Sequence, residues 1–219
     1  KMSVHCWQGD DVKGLEKTEG VASQNLVTGS YMGVARTGDE IRSDIDMATS
    51  LSPFKHKINL HSFYSEGNNP RNKQEYKDFS KWVSWAKEKG YGLDFNASFF
   101  THEMMDGNLS ITSTKKNVRD FWIEVGQRSR EIAYQIGKEL NEVCVNDIWL
   151  PDGMKDIPAD RFYFRNLLRE SLDAILEKKY DKNYLVDVLE GKLFSIGAES
   201  FTAGSNDFHL AYAIKNNVG

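Results

Sequence analysis

An acid and a base, Glu190 and Lys192, stand two residues apart at the end of a short apolar run. Side chains alternate across an extended strand, so the two share a face if the run stays extended to its end. Four other apolar runs close in the same polar and aromatic manner. The first gives His5, Trp7 and Asp10; the second gives Asn59 and His61, then Phe63 and Tyr64. The third gives Asp94 and Asn96, then Phe99, Phe100 and His102. The fourth gives Asn146, Asp147 and Trp149 ahead of Pro151-Asp152-Gly153, and the fifth adds Asp187 to Glu190 and Lys192. Taken one at a time, these residues have ordinary roles: a packed histidine, a core tryptophan, a surface ion pair, a turn aspartate. As a set, converging acid, base, imidazole and aromatic groups can bind a small polar molecule and do chemistry on it.

The elements that must position them alternate in type. The strand-length runs are Ser3 to Trp7, Lys57 to His61, Gly92 to Asn96, Val143 to Trp149, and Tyr184 to Leu189, with a sixth starting at Val218. Between them run five amphipathic helical patterns. Ile41, Ile45, Ala48 and Leu51 follow a capping box at Thr37 to Glu40. Tyr76, Phe79, Trp82, Val83 and Ala86 lead to Gly90, a helix-ending glycine. The others run from Val118 to Leu140, from Phe164 to Leu176, and from about Ser205 to Asn216. Strands alternating with helices predict parallel βα units. The longer connections, 8–36, 62–72, 97–114, 150–159 and 193–204, follow the strands. A site at the carboxyl ends of the strands is therefore expected.

Composition sets the outer limits. The chain has 219 residues, is 40% apolar and 27% charged, and carries a net charge of −4. That is the make-up of an ordinary globular protein, with enough chain for a sizeable core. No basic stripe points to nucleic acid, and no apolar run approaches a membrane span of roughly 18 residues. Cys6 and Cys144 lie far apart without metal-type spacing, which predicts reduced thiols and a cytoplasmic setting. Neither a GxGxxG nor a GxxxxGK[ST] phosphate cradle is present, and neither a GxSxG elbow nor an HExxH helix occurs.

The longer stretches around the strand ends carry a resemblance. They are His5-Cys6-Trp7-Gln8-Gly9-Asp10-Asp11, Asn59-Leu60-His61, Gly92-Leu93-Asp94-Phe95-Asn96, Ile148 to Ile157, and Lys192 to Ser200. Collinear over nearly the whole chain, this set resembles the L-rhamnose isomerase family. The resemblance implies a (β/α)8 TIM barrel related to xylose isomerase, of which residues 1–219 supply about the first five βα units. It implies an aldose–ketose isomerase that interconverts L-rhamnose and L-rhamnulose with two divalent cations, typically manganese, with cobalt or zinc also suited to the ligands. It further implies a homotetramer when full length.

Residue by residue, Glu190-Gly191-Lys192 is similar to the family's Glu-x-Lys element, departing from it only in having Gly191 in the middle. By this match Glu190 is a metal ligand, and Lys192 is the catalytic lysine that hydrogen-bonds the substrate's C1 oxygen. His61 is the histidine tied to ring opening. Trp149 and Phe100 are walls of the sugar pocket, Phe63 and Tyr64 lie near the substrate's methyl end, and Trp7 is a further contact. The family's remaining metal ligands have no counterpart here, and by collinearity they fall beyond Gly219. The expectation is therefore a portion of a longer protein, inactive alone. A metal-free sugar-binding remnant and a metal-dependent hydrolase on a related barrel are the alternative readings; hydrogen shift through a metal and an enediol route remain open.

Overall fold

A computed structural model describes residues 1–6, 14–15, 33, 35–192 and 200–219. Trp7 therefore lies outside the described residues, as do most of the connections 8–36 and 193–204.

Five parallel strands form one sheet in the order in which they occur along the chain. They are β1 (Met2–His5), β2 (His56–His61), β3 (Gly92–Asn96), β4 (Cys144–Trp149) and β6 (Leu185–Glu190). The helices are α1 (Gly38–Ser50), α2 (Ser80–Lys89), α3 (Lys116–Leu140), α4 (Arg161–Ile175) and α5 (Asn206–Asn216). Each expected helix forms, and the local signals explain their ends. Thr37 caps α1 through a complete capping box with Glu40, which satisfies two otherwise unpaired amides. Gly90 ends α2 at φ +71° in the left-handed region, the conformation glycine adopts at least cost. Only the first half of the expected α1 stripe is buried: Ile41 and Ile45 pack inward, whereas Ala48 is exposed and Leu51 is the C-cap, 83% exposed.

A second, two-stranded antiparallel sheet pairs β5 (Gly153–Met154) with β7 (Phe201–Thr202). Both segments were expected as plain loop. Two-residue strands have no periodicity to read. The pair fastens the connection after β4 to the one after β6, at the carboxyl edge of the main sheet.

The pairing register sorts the strand residues into two faces. His5 stands opposite Asn59, Asn59 opposite Asp94, and His61 opposite Asn96. Asn96 stands opposite Asp147, and Trp149 opposite Glu190. Partners in register share a face, so His5, Asn59, His61, Asp94, Asn96, Asp147, Trp149 and Glu190 lie on one side. The other side carries Ile58, Leu60, Leu93, Phe95, Cys144, Ile148 and Leu185, all buried in the two hydrophobic clusters that the helices cover. At a typical ~25 cal/mol per Å² of apolar area removed from water, that helix-covered face dominates the driving force. The polar face is left to do something else.

Candidate functional site

The polar face is layered. Near the amino ends of the strands, Lys57 donates to Asp94 at 2.5 Å and to the Val143 carbonyl at 2.7 Å, while Ser3 donates to Asp94 at 3.2 Å. Asp94 also accepts the Val145 amide. Asp94 thus bonds sideways and fixes the sheet. One layer up, Asn59 and Asn96 both donate to Asp147 Oδ2, at 3.4 and 3.3 Å, and Asn59 lies 3.4 Å from His5 Nδ1. Asp147 in turn lies close enough to Glu190 at the strand end for its charge to act on that carboxyl. Glu190 is exposed overall, yet partial loss of water around its carboxyl, and then the neighbouring Asp147 charge, raise its pKa to about 7.

The next layer is aromatic. His61 stacks on Phe63 at 5.1 Å between ring centroids and meets Phe100 edge-on at 6.1 Å. Phe100 in turn meets Trp149 edge-on at 5.4 Å. Rings from the ends of β2, β3 and β4 therefore adjoin, with Trp149 in register beside Glu190. His61 is only 2% exposed, and its Nδ1 lies 3.2 Å from Ser98 Oγ. Burial above all, then the charges of His5 and Arg71, lower its pKa to about 3. It is a neutral imidazole at any ordinary pH. Lys192 is buried and its Nζ donates to the Pro151 carbonyl at 2.7 Å.

The backbone of the Glu190–Lys192 end is tied from α5 and from the segment before it. His209 Nδ1 lies 3.2 Å from the Glu190 carbonyl, and the Lys192 amide donates to the Gly204 carbonyl. A side chain at Gly191 would run into the Asn206 amide group; that close approach accounts for the glycine between the acid and the base.

Not every polar strand residue belongs to this face. Asn146 and Asp187 point to the helices, where Asn146 accepts from Ser129 at 2.6 Å and Arg130 pairs with Asp187 at 3.0 Å. They hold α3 to the sheet. Asp152 accepts four hydrogen bonds from Ser110 and Thr112, and His102 stacks on Phe121. Tyr64 is buried against Phe63 and Trp82. The residue that sequence reasoning left out of the site is Asp147. Its place on the face followed from period two, but its proximity to Glu190 depends on the β4–β6 register.

No group of three or more histidine, cysteine, aspartate or glutamate side chains able to hold a metal occurs among the described residues. Glu190 with Asp147 offers hard oxygen donors of the kind manganese takes, but not a full set.

The fold and this face define a parallel α/β protein with an acid, a buried lysine and an aromatic-lined imidazole gathered at the carboxyl ends of its strands. The sequence profile of L-rhamnose isomerase (RhaA) matches residues 1–218, and the chain belongs to that family. It is 47% identical over 217 residues to the L-rhamnose isomerase of Listeria monocytogenes, covering 98% of this chain and 52% of that protein. The enzyme of Lactiplantibacillus plantarum is also 47% identical, over 98% of this chain and 51% of its own length. The chain thus spans about half the length of the curated relatives it matches. Among solved structures, a D-allulose 3-epimerase from Methylomonas sp. in complex with D-allulose overlays with a TM-score of 0.47 at 12% identity, over 99% of this chain and 59% of that one. A likeness that weak carries nothing further.

Proposed function

We propose that the full protein is an aldose–ketose isomerase that interconverts L-rhamnose and L-rhamnulose by a metal-assisted 1,2-hydrogen shift. The observation that carries this reading is the joining of Glu190, Asp147, Trp149, Phe100 and His61 on one face of the sheet, in a chain of the L-rhamnose isomerase family. Glu190 is assigned as a metal ligand. A divalent cation there supplies Lewis-acid polarisation of the sugar's oxygens. Manganese, cobalt and zinc all suit its oxygen donors.

The other roles belong to the chain's own groups. His61, kept neutral, is assigned to the sugar's ring oxygen as a hydrogen-bonding partner that orients it for ring opening. Lys192 offsets negative charge developing at the C1 oxygen. Phe100 and Trp149 pack on the sugar's C–H faces and exclude water. Phe63 stacks behind His61 and, with Tyr64, is assigned to the substrate's methyl end; Trp7 is assigned as a further substrate contact.

We read the sheet as the first five βα units of a (β/α)8 barrel. Support comes from its sequential parallel order and from Gly219, whose backbone exchanges hydrogen bonds with Asp187 and Leu189 of β6 as a further parallel strand would. No helix among the described residues is long and apolar enough to cross a membrane. Cys6 and Cys144 are both buried, and a reducing, cytoplasmic setting is the one proposed for them. A sugar is the proposed partner rather than nucleic acid, and a homotetramer the proposed assembly. The test is conversion of L-rhamnose to L-rhamnulose by the full protein, with and without Mn²⁺. Conversion that needs the metal supports the reading; rhamnose binding without turnover or metal dependence sinks it in favour of a sugar-binding remnant.

A further inference from the structure

The connection after β3 has an unusual backbone. Ser98 and Thr101 both adopt left-handed conformations, at φ +55° and +51°. Such values are costly for a non-glycine residue, most of all for a β-branched one such as Thr101. Two strained residues within four positions persist only if something outside the loop holds them.

Arg71 is that holder. It lies in a single turn of 3-10 helix after β2, is 2% exposed, and does not reach solvent. Its guanidinium donates to the carbonyls of Ser98 at 2.7 Å, Phe100 at 2.5 Å and Thr101 at 3.1 Å. It also lies over the rings of Phe63 and Trp122, at 6.0 and 5.8 Å. A rigid planar fork with several donors can span three carbonyls; a lysine ammonium on a flexible stem cannot hold them all in one geometry.

The loop so held supplies two groups to the aromatic layer. Ser98 places its hydroxyl on His61 Nδ1, and Phe100 places its ring between His61 and Trp149. The Ser98 amide is itself fixed by Asn96 Oδ1 at 2.8 Å, and Ser62 binds the Ala97 carbonyl at 2.6 Å. These contacts hold the loop's start, and Arg71 ties that start, through the Ser98 carbonyl, to the loop's far side at Phe100 and Thr101.

We propose that Arg71 is a positioning residue for sugar binding: by clamping the Ser98, Phe100 and Thr101 carbonyls it fixes the Phe100 wall and the hydroxyl that orients His61. It touches no reacting atom, so its effect falls on substrate fit. The proposal rests on the isomerase reading above.

The test compares the full-length protein with Arg71→Lys, Thr101→Gly and the double variant, reading KM and kcat for L-rhamnose. Arg71→Lys raises KM about tenfold or more while kcat falls less, because a displaced pocket wall costs binding geometry. Glycine adopts positive φ without strain, so Thr101→Gly alone keeps near-wild-type kinetics and, in the double variant, restores part of the lost KM. Rescue by a substitution that removes backbone strain is not expected of a merely structural arginine. Wild-type KM in a folded Arg71→Lys protein, or no recovery in the double variant, overturns the proposal. Should Arg71→Lys fail to fold, Ser98→Ala reads the same link, and an unchanged KM there overturns it equally. A wild-type protein that does not turn over rhamnose removes the isomerase reading itself, and with it the role of Arg71 in sugar binding.

Discussion

His61 is the residue whose chemistry depends most on its surroundings. In the fold its pKa is about 3 because burial, His5 and Arg71 all oppose its protonation, whereas the unfolded chain takes up that proton near 6.5. A group with a depressed folded pKa contributes stability that is present above the unfolded value and lost as pH falls toward the folded one. Stability should therefore drop between pH 6.5 and 3, by at most about 1.4 kcal/mol per pH unit from this group. Urea denaturation at stepped pH should show that slope flattened in His61→Gln; an identical acid limb contradicts the assignment. On the proposed assignment of Trp149 as a wall of the sugar pocket, Trp149→Ala should raise KM for L-rhamnose by about tenfold with a smaller change in kcat. At this scale much was legible in the sequence. Period-two alternation put Asn59 with His61 and Asp94 with Asn96 on one face, as observed. The same rule separates Asn146 from Asp147 and Asp187 from Glu190, and the two helix-facing residues proved structural. The proximity of Asp147 to Glu190 was not legible, because it requires the register between two strands whose partners lie 41 residues apart in the chain.

The elements follow from local signals where those signals are strong. The capping box at Thr37 marked the start of α1, and Thr37→Ala should cost about 1 kcal/mol in thermal or chemical unfolding. A loss near zero would mean that tertiary packing alone fixes that helix end. Gly137 was not singled out by any sequence pattern. It lies in the last turns of α3, where a methyl group would collide with the carbonyls of Tyr184 and Glu142. Gly137→Ala should therefore destabilise by about 1–3 kcal/mol, although alanine is the better helix former. An unchanged or raised midpoint would show that the α3–β6 connection yields more easily than its close contacts suggest. The β5–β7 pair and the Arg71 clamp were likewise invisible in the sequence. Each joins short segments distant in the chain, and neither leaves a periodic trace.

Across the whole molecule, a division of labour between two sheet faces links fold to function. The apolar face is covered by helices and supplies the core. The polar face grades from the structural Ser3–Lys57–Asp94 cluster, through Asn59–Asp147–Asn96, to the aromatic and acidic strand ends. That gradient makes Glu190 the group on which a cation site would be founded, with Asp147 supporting it from below. Whether Glu190 holds a metal for the isomerisation is tested most directly by measuring Mn²⁺-dependent conversion of L-rhamnose to L-rhamnulose in the full-length protein beside its Glu190→Gln variant. If Glu190 is the proposed metal ligand, its replacement should lower turnover by about a hundredfold or more, with weakened metal dependence. Equal turnover and equal metal response in the two proteins would contradict it.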